Sequence, residues 1–179
     1  MFSEKEKAHC KDTKNVFENH YRIFSVSLAT IADRTVFAGG VFASIFLDEK
    51  PRDVDVFILS STEDDRRVFK TFCKVNNYPI NKKIDAEQTY KNVNPHISSV
   101  WKMTRNKKEY DIIFTDYASV EDLMFDFDYE HSKVWYHNGN LSLTEKTYRA
   151  IMDMKLIPIS GKRIDEVRKT KFLNRGWKE

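Results

Sequence analysis

The sequence predicts an α+β fold, in which a mixed β-sheet is flanked by helices and followed by a helical C-terminal extension. Short β-rich runs alternate with segments of helical periodicity, and two pairs of these runs are joined by polar turns typical of hairpins. Two helical stretches, separated by Pro158, end the chain. All 179 residues are expected to form one domain, with a core over about 30–116 and a C-terminal elaboration over about 117–179.

The N-terminal third is predicted to contain a helix, a strand and a second, short helix. Apolar residues recur at spacings of three and four over the first thirty residues, as they do on one face of a helix: Phe17, Tyr21, Phe24 and Leu28. The β-rich run 34–38 stops at Gly39-Gly40. The stretch 41–47 is predicted to be helical, up to the break at Lys-Pro-Arg.

From residue 53 onward, strands and helices alternate. The run DVDVFIL (53–59) is rich in Val, Ile and Phe and is predicted to be a strand. The next helix is capped by Ser61 or Thr62 and carries three acidic residues in its first turn. The segment 76–95 is polar, which predicts a loop with no more than a short helical piece.

The second half of the chain is predicted to contain two hairpins and three helices. Strands within 98–115 turn at 106–108, and those within 133–143 turn at Asn138-Gly139. A serine-capped helix begins at 119, and helices follow over 144–154 and 160–173. In the FDFD segment, the alternation predicts that Phe125 and Phe127 face the core and that Asp126 and Asp128 face solvent. The alternative for Asp126 is that it caps a helix or pairs with a basic residue.

Composition excludes several classes of protein. The hydrophobic and charged fractions, 41% and 32%, are typical of an ordinary globular chain. Cys10 and Cys73 fit neither a zinc spacing nor a disulfide framework, which favours a reducing, cytoplasmic setting. The polar N-terminus and the lack of a long apolar run predict neither a signal peptide nor a membrane span. A net charge of +3 does not by itself call for nucleic acid.

Two aspartates inside an apolar strand predict a metal site. Asp53 and Asp55 leave the same face of a strand about 7 Å apart, where two ionised carboxylates repel each other. A divalent cation removes this cost, and Mg²⁺ prefers one or two carboxylates together with substrate phosphates. Asp111, in the strand EYDIIFT, supplies a third carboxylate. The expected site therefore holds two magnesium ions, with manganese as the substitute.

The glycine pair predicts a nucleotide site beside these carboxylates. Glycines at a strand-to-helix turn let the backbone approach a ligand, and the following helix offers free N–H groups to phosphate. Ser44, one turn into that helix, can add a hydroxyl. The physical reading is a nucleoside triphosphate on Gly39-Gly40, bridged by magnesium to Asp53, Asp55 and Asp111.

The arrangement of these motifs resembles the DNA-polymerase-beta-like nucleotidyltransferase superfamily. A Gly-Gly pair, twelve further residues and DVDVF match its signature, and YDIIF matches the strand of its third carboxylate. The resemblance implies that Gly39 and Gly40 hold the triphosphate and that Asp53 and Asp55 bind both metals. Asp111 would bind the catalytic metal and help to deprotonate the acceptor. The superfamily often has Ser at the place of Gly40, so a hydroxyl contact would have to come from Ser44.

The rest of the chain resembles a group of phage and viral nucleotidyltransferase-like proteins. The resemblance lies in FDFDYEHSKVWY, MKLIPIS and the ending RIDEVRKTKFLNRGWKE. It implies a phage protein that acts in the host cytoplasm. In this ending Arg168, Lys171 and Arg175 share one helical face, which either reaches a triphosphate or polynucleotide or is simply solvated.

The resulting hypothesis is an enzyme that transfers a nucleoside monophosphate from ATP or another NTP to a hydroxyl acceptor and releases pyrophosphate. An RNA 3′ end, a protein or a small molecule can serve as the acceptor. The alternative is a catalytically silent nucleotide-binding protein that keeps the fold and acts as a viral factor on a host system. Neither hypothesis involves a membrane.

Overall fold

The sheet is mixed and has seven strands. The computed structural model describes residues 1–23, 30–85 and 94–179. The strand order is β3-β4-β5-β2-β1-β6-β7. β2 and β5 run parallel, and the other neighbours run antiparallel. The strands are β1 (Thr35–Ala38), β2 (Asp53–Ile58), β3 (Ile80–Asp85), β4 (Ile97–Arg105), β5 (Lys108–Thr115), β6 (Trp135–His137) and β7 (Asn140–Ser142).

Helices flank this sheet, as the α+β prediction requires. Within the described ranges they are α1 (Glu4–His20), α2 (Gly40–Phe46), α3 (Glu63–Val75), α4 (Val120–Phe125), α5 (Glu145–Met152) and α6 (Glu166–Leu173). Side chains that accept backbone N–H groups begin five of them: Ser3, Thr62, Ser119, Thr144 and Asp165. None of the described helices is both long and apolar enough to cross a bilayer.

Each face of the sheet packs its own core. Val54, Val56 and Ile58 point to the larger core, which α1, α2, α3 and α5 cover with residues such as Phe17 and Phe42. The alternate residues of β2 point the other way, and Phe57 lies in a smaller core with side chains of α4. Asp53 and Asp55 therefore share the face of the smaller core, beyond the area that α4 covers.

The hairpin predictions are confirmed, and their turns fix the register of the site. Asn106 and Lys107 have φ values of 49° and 62°, as a two-residue turn of right-handed strands requires. Asn138 and Gly139, with φ values of 50° and 79°, do the same between β6 and β7. Because the two-residue turn fixes the register from Arg105 and Lys108 onward, Lys102 on β4 pairs with Asp111 on β5.

Three local predictions are wrong. The first helix ends at His20, ten residues early, and the predicted stripe residues Phe24 and Leu28 lie outside the described residues. Part of the predicted loop 76–95 is β3, a strand at the edge of the sheet whose exposed residues hide its pattern. The last helix begins at Glu166 rather than at 160.

The FDFD segment agrees with the prediction in part, because Phe127 packs against the smaller core and Asp126 pairs with a basic residue, as the alternative had it. Phe125 is 73% exposed. Asp126 is partly buried and accepts hydrogen bonds from Tyr117 at 2.7 Å and Lys162 at 3.0 Å. Strand-like alternation was the wrong period here because α4 continues through Phe125.

Candidate functional site

The three predicted carboxylates lie side by side on one face of the sheet. Asp55 on β2 pairs in register with Asp111 on the parallel strand β5. Residues paired in register point to the same face, and their strands are about 5 Å apart. Asp53 projects from this face two residues earlier along β2. The hydrogen-bonded pairing of β2 with β5 thus brings together Asp55 and Asp111, which are 56 residues apart in the sequence.

Gly39 brings the backbone against the central carboxylate. It links β1 to α2 with φ 86° and ψ −144°, a conformation that side chains other than glycine avoid. A Cβ atom at this position would lie 3.4 Å from Asp55 Oδ2. The turn therefore passes directly beside the Asp55 carboxylate. The helix α2, which is only seven residues long, starts next to it.

The electrostatics of Asp55 are those of a carboxylate among carboxylates. Burial raises the pKa of Asp55 from 3.8 to about 7, and the neighbouring charges of Asp53 and Asp111 add to the rise. Arg168 and Lys102 oppose it. In the absence of a cation, Asp55 is thus only partly ionised at neutral pH, which is the situation that a bound divalent ion relieves.

Lys102 is a component of the site that the sequence analysis did not identify. Its Nζ lies 2.9 Å from both carboxylate oxygens of Asp111. The Lys102 side chain is 46% exposed and that of Asp111 is 19% exposed. A pair as exposed as this contributes only about 0.2–1 kcal/mol, so it can be exchanged for other partners. The turn at Asn106-Lys107 was the available signal, because counting back from it pairs Lys102 with Asp111.

A cavity of about 360 Å³ opens above Asp53 and Asp55. Its opposite wall is α6, and the lining residues are Gly40, Asp53, Asp55, Ser132, Asp165, Val167, Arg168, Lys171, Phe172 and Arg175. The basic face of the last helix, which the sequence left open between two interpretations, thus lies across from the carboxylates. Among the lining residues, Ser132 carries the only hydroxyl side chain. Two residues that the sequence analysis assigned to the site, Ser44 and Asp111, are not among them. Ser44 is 5% exposed, and Asp111 lies one strand further along the sheet.

The segment before β6 holds α6 in this position. Arg168 Nε lies 3.1 Å from Asp128 Oδ2. Behind it, His131 stacks on Trp177 with ring centroids 4.2 Å apart and meets Phe172 edge-on at 4.8 Å. His131 and Trp177 are 1% and 5% exposed. The chain after α6 therefore packs on the segment before β6 and fixes the helix by an apolar contact.

His131 gives this contact a dependence on pH. Burial lowers the pKa of His131 from 6.5 to about 3, and the charges of Arg168 and Arg175 lower it further. Its Nδ1 has no hydrogen-bond partner among the described residues. The folded chain holds the imidazole neutral, whereas the unfolded chain protonates it below pH 6.5. This contribution to stability is therefore complete above pH 6.5 and is lost as the pH falls toward 3.

His131→Phe is expected to flatten the acid side of the stability profile. The phenyl ring keeps the stacking but binds no proton, so the variant should avoid a loss of about 1.4 kcal/mol per pH unit below 6.5. Urea unfolding at pH 7.5 and 5 measures the difference. His20→Phe, an exposed change at the end of α1, should follow the wild-type profile. Parallel profiles for His131→Phe and wild type would contradict the assignment.

The donor set fits a divalent cation that is shared with a bound phosphate. Asp53 and Asp55 offer the oxygen ligands that Mg²⁺ prefers, and the pKa of Asp55 is raised first by burial and then by neighbouring carboxylates whose repulsion a cation would remove. Asp111 is bonded to Lys102, and no cluster of three His, Cys, Asp or Glu in the described part of the chain is close enough to hold an ion by itself. The two carboxylates of β2 thus have the chemistry of ligands for a cation that a phosphate helps to hold, and the described residues form no closed metal cage.

Comparison with protein families gives one match over most of the chain. Residues 4–153 match the family model described as "Gad2: Gabija anti-defense 2 family protein". No curated protein matches the sequence. The helix α6 and the C-terminal segment lie outside the matched range.

Solved structures share the fold at low sequence identity. A tRNA-processing enzyme with CTP is 15% identical with a TM-score of 0.56, covering 78% of this chain and 37% of that one. A tRNA-processing enzyme described as apo form 2 is 14% identical with a TM-score of 0.56, covering 84% of this chain and 41% of that one. A CCA-adding enzyme with ATP is 11% identical with a TM-score of 0.50, covering 88% and 34%. The chain spans about two fifths or less of these proteins, and its fold is that of the nucleotidyltransferases.

Proposed function

This chain belongs to the Gabija anti-defense 2 family, and we propose that it is a metal-dependent nucleotidyltransferase. It transfers a nucleoside monophosphate from an NTP to a hydroxyl acceptor and releases pyrophosphate. One observation carries the proposal: Asp55 and Asp111 are paired in register, with Asp53 on the same face, across a cavity from a basic helix. The solved structures of similar fold with CTP and ATP support an NTP as the donor.

The triphosphate binds between the glycine turn and α6. Gly40 brings backbone to one side of the cavity, and Arg168, Lys171 and Arg175 bring positive charge to the other. A volume of about 360 Å³ is in the range of a small-ligand site and accommodates the charged end of a nucleotide. The position of these residues on the cavity wall supports phosphate binding, rather than simple solvation, as the role of the basic helical face.

The carboxylates divide the remaining tasks. Asp53 and Asp55 would hold a divalent cation, Mg²⁺ or Mn²⁺, which would supply stabilisation of the charge on the attacking and leaving oxygens. Asp111 faces the acceptor and accepts the proton of its hydroxyl. The acceptor oxygen then forms a bond to the α-phosphorus, the bond from that phosphorus to the bridging oxygen breaks, and pyrophosphate leaves in line.

The family description connects the reaction to a biological role. It names an activity against the Gabija defence. We propose that nucleotidyl transfer by this chain in the host cytoplasm serves that role for a phage. The acceptor is then a hydroxyl whose modification weakens the defence.

A second candidate function is favoured by Lys102. Because its ammonium already neutralises Asp111, the chain can bind a metal–NTP complex on Asp53 and Asp55 without completing the catalytic set. Such a protein would oppose the defence by binding a nucleotide or a partner rather than by transfer. The two candidates share the NTP and differ in whether label moves to an acceptor.

NTP together with Mg²⁺ is expected to raise the melting temperature of the chain, and label transfer is expected to accompany it. At 100 times the dissociation constant the ligand stabilises the native state by about 2.7 kcal/mol, which for this length is a shift of about 5–10 °C. The four α-labelled NTPs are then incubated with the protein, Mg²⁺ or Mn²⁺, and total RNA or cell lysate. EDTA is the control for both measurements.

The outcomes separate the candidates. A thermal shift with labelled product and released pyrophosphate supports the enzyme. A thermal shift without any product supports the silent binding protein. The absence of a shift with all four NTPs contradicts both.

A further inference from the structure

The row of paired residues across the sheet gives the site a direction. In register on neighbouring strands lie Ala38, Asp55, Asp111, Lys102 and Lys82. Gly39 follows Ala38, so the glycine turn lies on one side of the carboxylates and two lysines lie on the other. Lys82 and Lys102 point to the same face as the carboxylates, because in-register partners share a face.

In-line displacement fixes which substrate meets which end. The leaving pyrophosphate and the attacking hydroxyl lie on opposite sides of the α-phosphorus. The triphosphate belongs at the end with Gly40 and α6, where the positive charge of that helix faces the cavity. The acceptor must then approach over β4 and β3, and the side chains that it meets beyond Asp111 are those of Lys102 and Lys82.

We propose that Lys102 selects an acceptor that carries a phosphate close to its reacting hydroxyl. This inference rests on the proposed nucleotidyl transfer. In the free protein the Lys102 ammonium bonds to both oxygens of Asp111. An arriving phosphate draws it away, with exposed Lys82 as a second contact, and Asp111 becomes available to the metal and to the hydroxyl proton.

The geometry explains why such an exchange is needed. An ammonium that holds both oxygens of Asp111 excludes a divalent cation from the same oxygens by charge and by space. Without an acceptor, Asp53 and Asp55 are thus the only two of the three carboxylates that would hold a cation with the NTP, and water is a poor substitute for an acceptor because it carries no phosphate to draw Lys102 away. Selection of the acceptor and protection of the NTP from hydrolysis follow from one lysine.

The test combines metal counting with acceptor binding in Lys102→Met and a matched control. Lys83→Met removes the neighbouring lysine of β3, whose Nζ lies on the opposite face, 4.3 Å from the centre of the Trp101 ring. With a non-hydrolysable NTP present, free Mn²⁺ measured by electron paramagnetic resonance should show one ion bound in wild type and in Lys83→Met. Lys102→Met should bind two.

Acceptor binding is measured with three probes: a mixed-sequence RNA octamer, a mixture of nucleoside 5′-monophosphates, and an uncharged morpholino octamer. Lys102→Met should weaken binding of a phosphate-bearing probe about 10- to 100-fold, as expected for the loss of a charged hydrogen bond. The morpholino should bind wild type and variant equally weakly. Preference for the octamer or for the monophosphates identifies the source of the phosphate.

The results distinguish failure of the proposed function from failure of this inference. If wild type binds no Mn²⁺ with the NTP, the proposed function and this inference both fail. If wild type binds the complex, but Lys102→Met changes neither or only one of the two measurements beyond Lys83→Met, the role of Lys102 is overturned and the proposed function stands.

Discussion

Asp55→Asn is expected to abolish nucleotidyl transfer and, at the same time, to stabilise the folded chain at pH 8. Loss of a metal-binding carboxylate should lower the rate by about 10³-fold or more. The stabilisation has a separate cause. Asp55 is held among Asp53 and Asp111 in a partly buried position, and its pKa of about 7 shows that the fold disfavours its charge. An amide of the same shape removes that charge.

The sign of the stability change can be followed with pH. The unfolded carboxyl ionises near 3.8, whereas the folded one retains its proton up to about 7. The folded chain therefore loses stability relative to the variant as the pH rises from about 4 to 7, and the difference is constant above 7. Allowing for the partial exposure of Asp55, we expect a gain of about 1–2 kcal/mol at pH 8 and almost none at pH 4.

Asp53→Asn is the matched control for this experiment. Asp53 is exposed, so its substitution removes only its share of the repulsion on Asp55 and should stabilise the chain less than Asp55→Asn does, while still abolishing transfer. Guanidinium unfolding in metal-free buffer at pH 4 and pH 8 gives the stabilities, and the labelling assay gives the rates. Transfer that survives in Asp55→Asn would remove this residue from the proposed mechanism.

The sequence was enough to identify the carboxylates of the site, but not to show how strands distant in sequence bring them together. Asp53 and Asp55 could be identified as a pair because a strand places residues two apart on one face. The Asn106-Lys107 turn determines which residues of β4 and β5 pair. The pairing of Asp55 with Asp111 is different in kind. It joins parallel strands whose connection runs through α3, β3 and β4, so no local turn sets its register.

The missed elements have a common physical cause. β3 reads INKKID, and the exposed side chains of an edge strand carry no alternation, although lysines are how many proteins protect such an edge. The placement of α6 depends on His131, Phe172 and Trp177, three aromatic side chains that the chain brings together from separate elements. Periodicity describes one element at a time, and these features belong to contacts between elements.

Replacing Lys171 and Arg175 together by glutamine is expected to raise the KM for the NTP about 10- to 100-fold with a much smaller effect on kcat. Both residues line the cavity opposite the carboxylates and would contact phosphates that are present in the bound substrate as well as in the transition state. Arg168 is left intact because it holds α6 to Asp128. The salt dependence of NTP binding should weaken in the same variant, since two of the phosphate contacts are lost.

Lys169→Gln distinguishes a contact with the substrate from a loss of overall charge. Lys169 lies on the same helix but outside the cavity lining, and its ammonium pairs with Glu179. Steady-state kinetics over a range of NTP and salt concentrations should leave its KM close to that of wild type. If Lys169→Gln and the double variant raise the KM for the NTP to the same extent, α6 acts through its overall positive charge and not through direct contacts with the NTP. The basic face of α6 would then contribute attraction to an anionic ligand, and the triphosphate would have to be held by the glycine turn and the carboxylates alone.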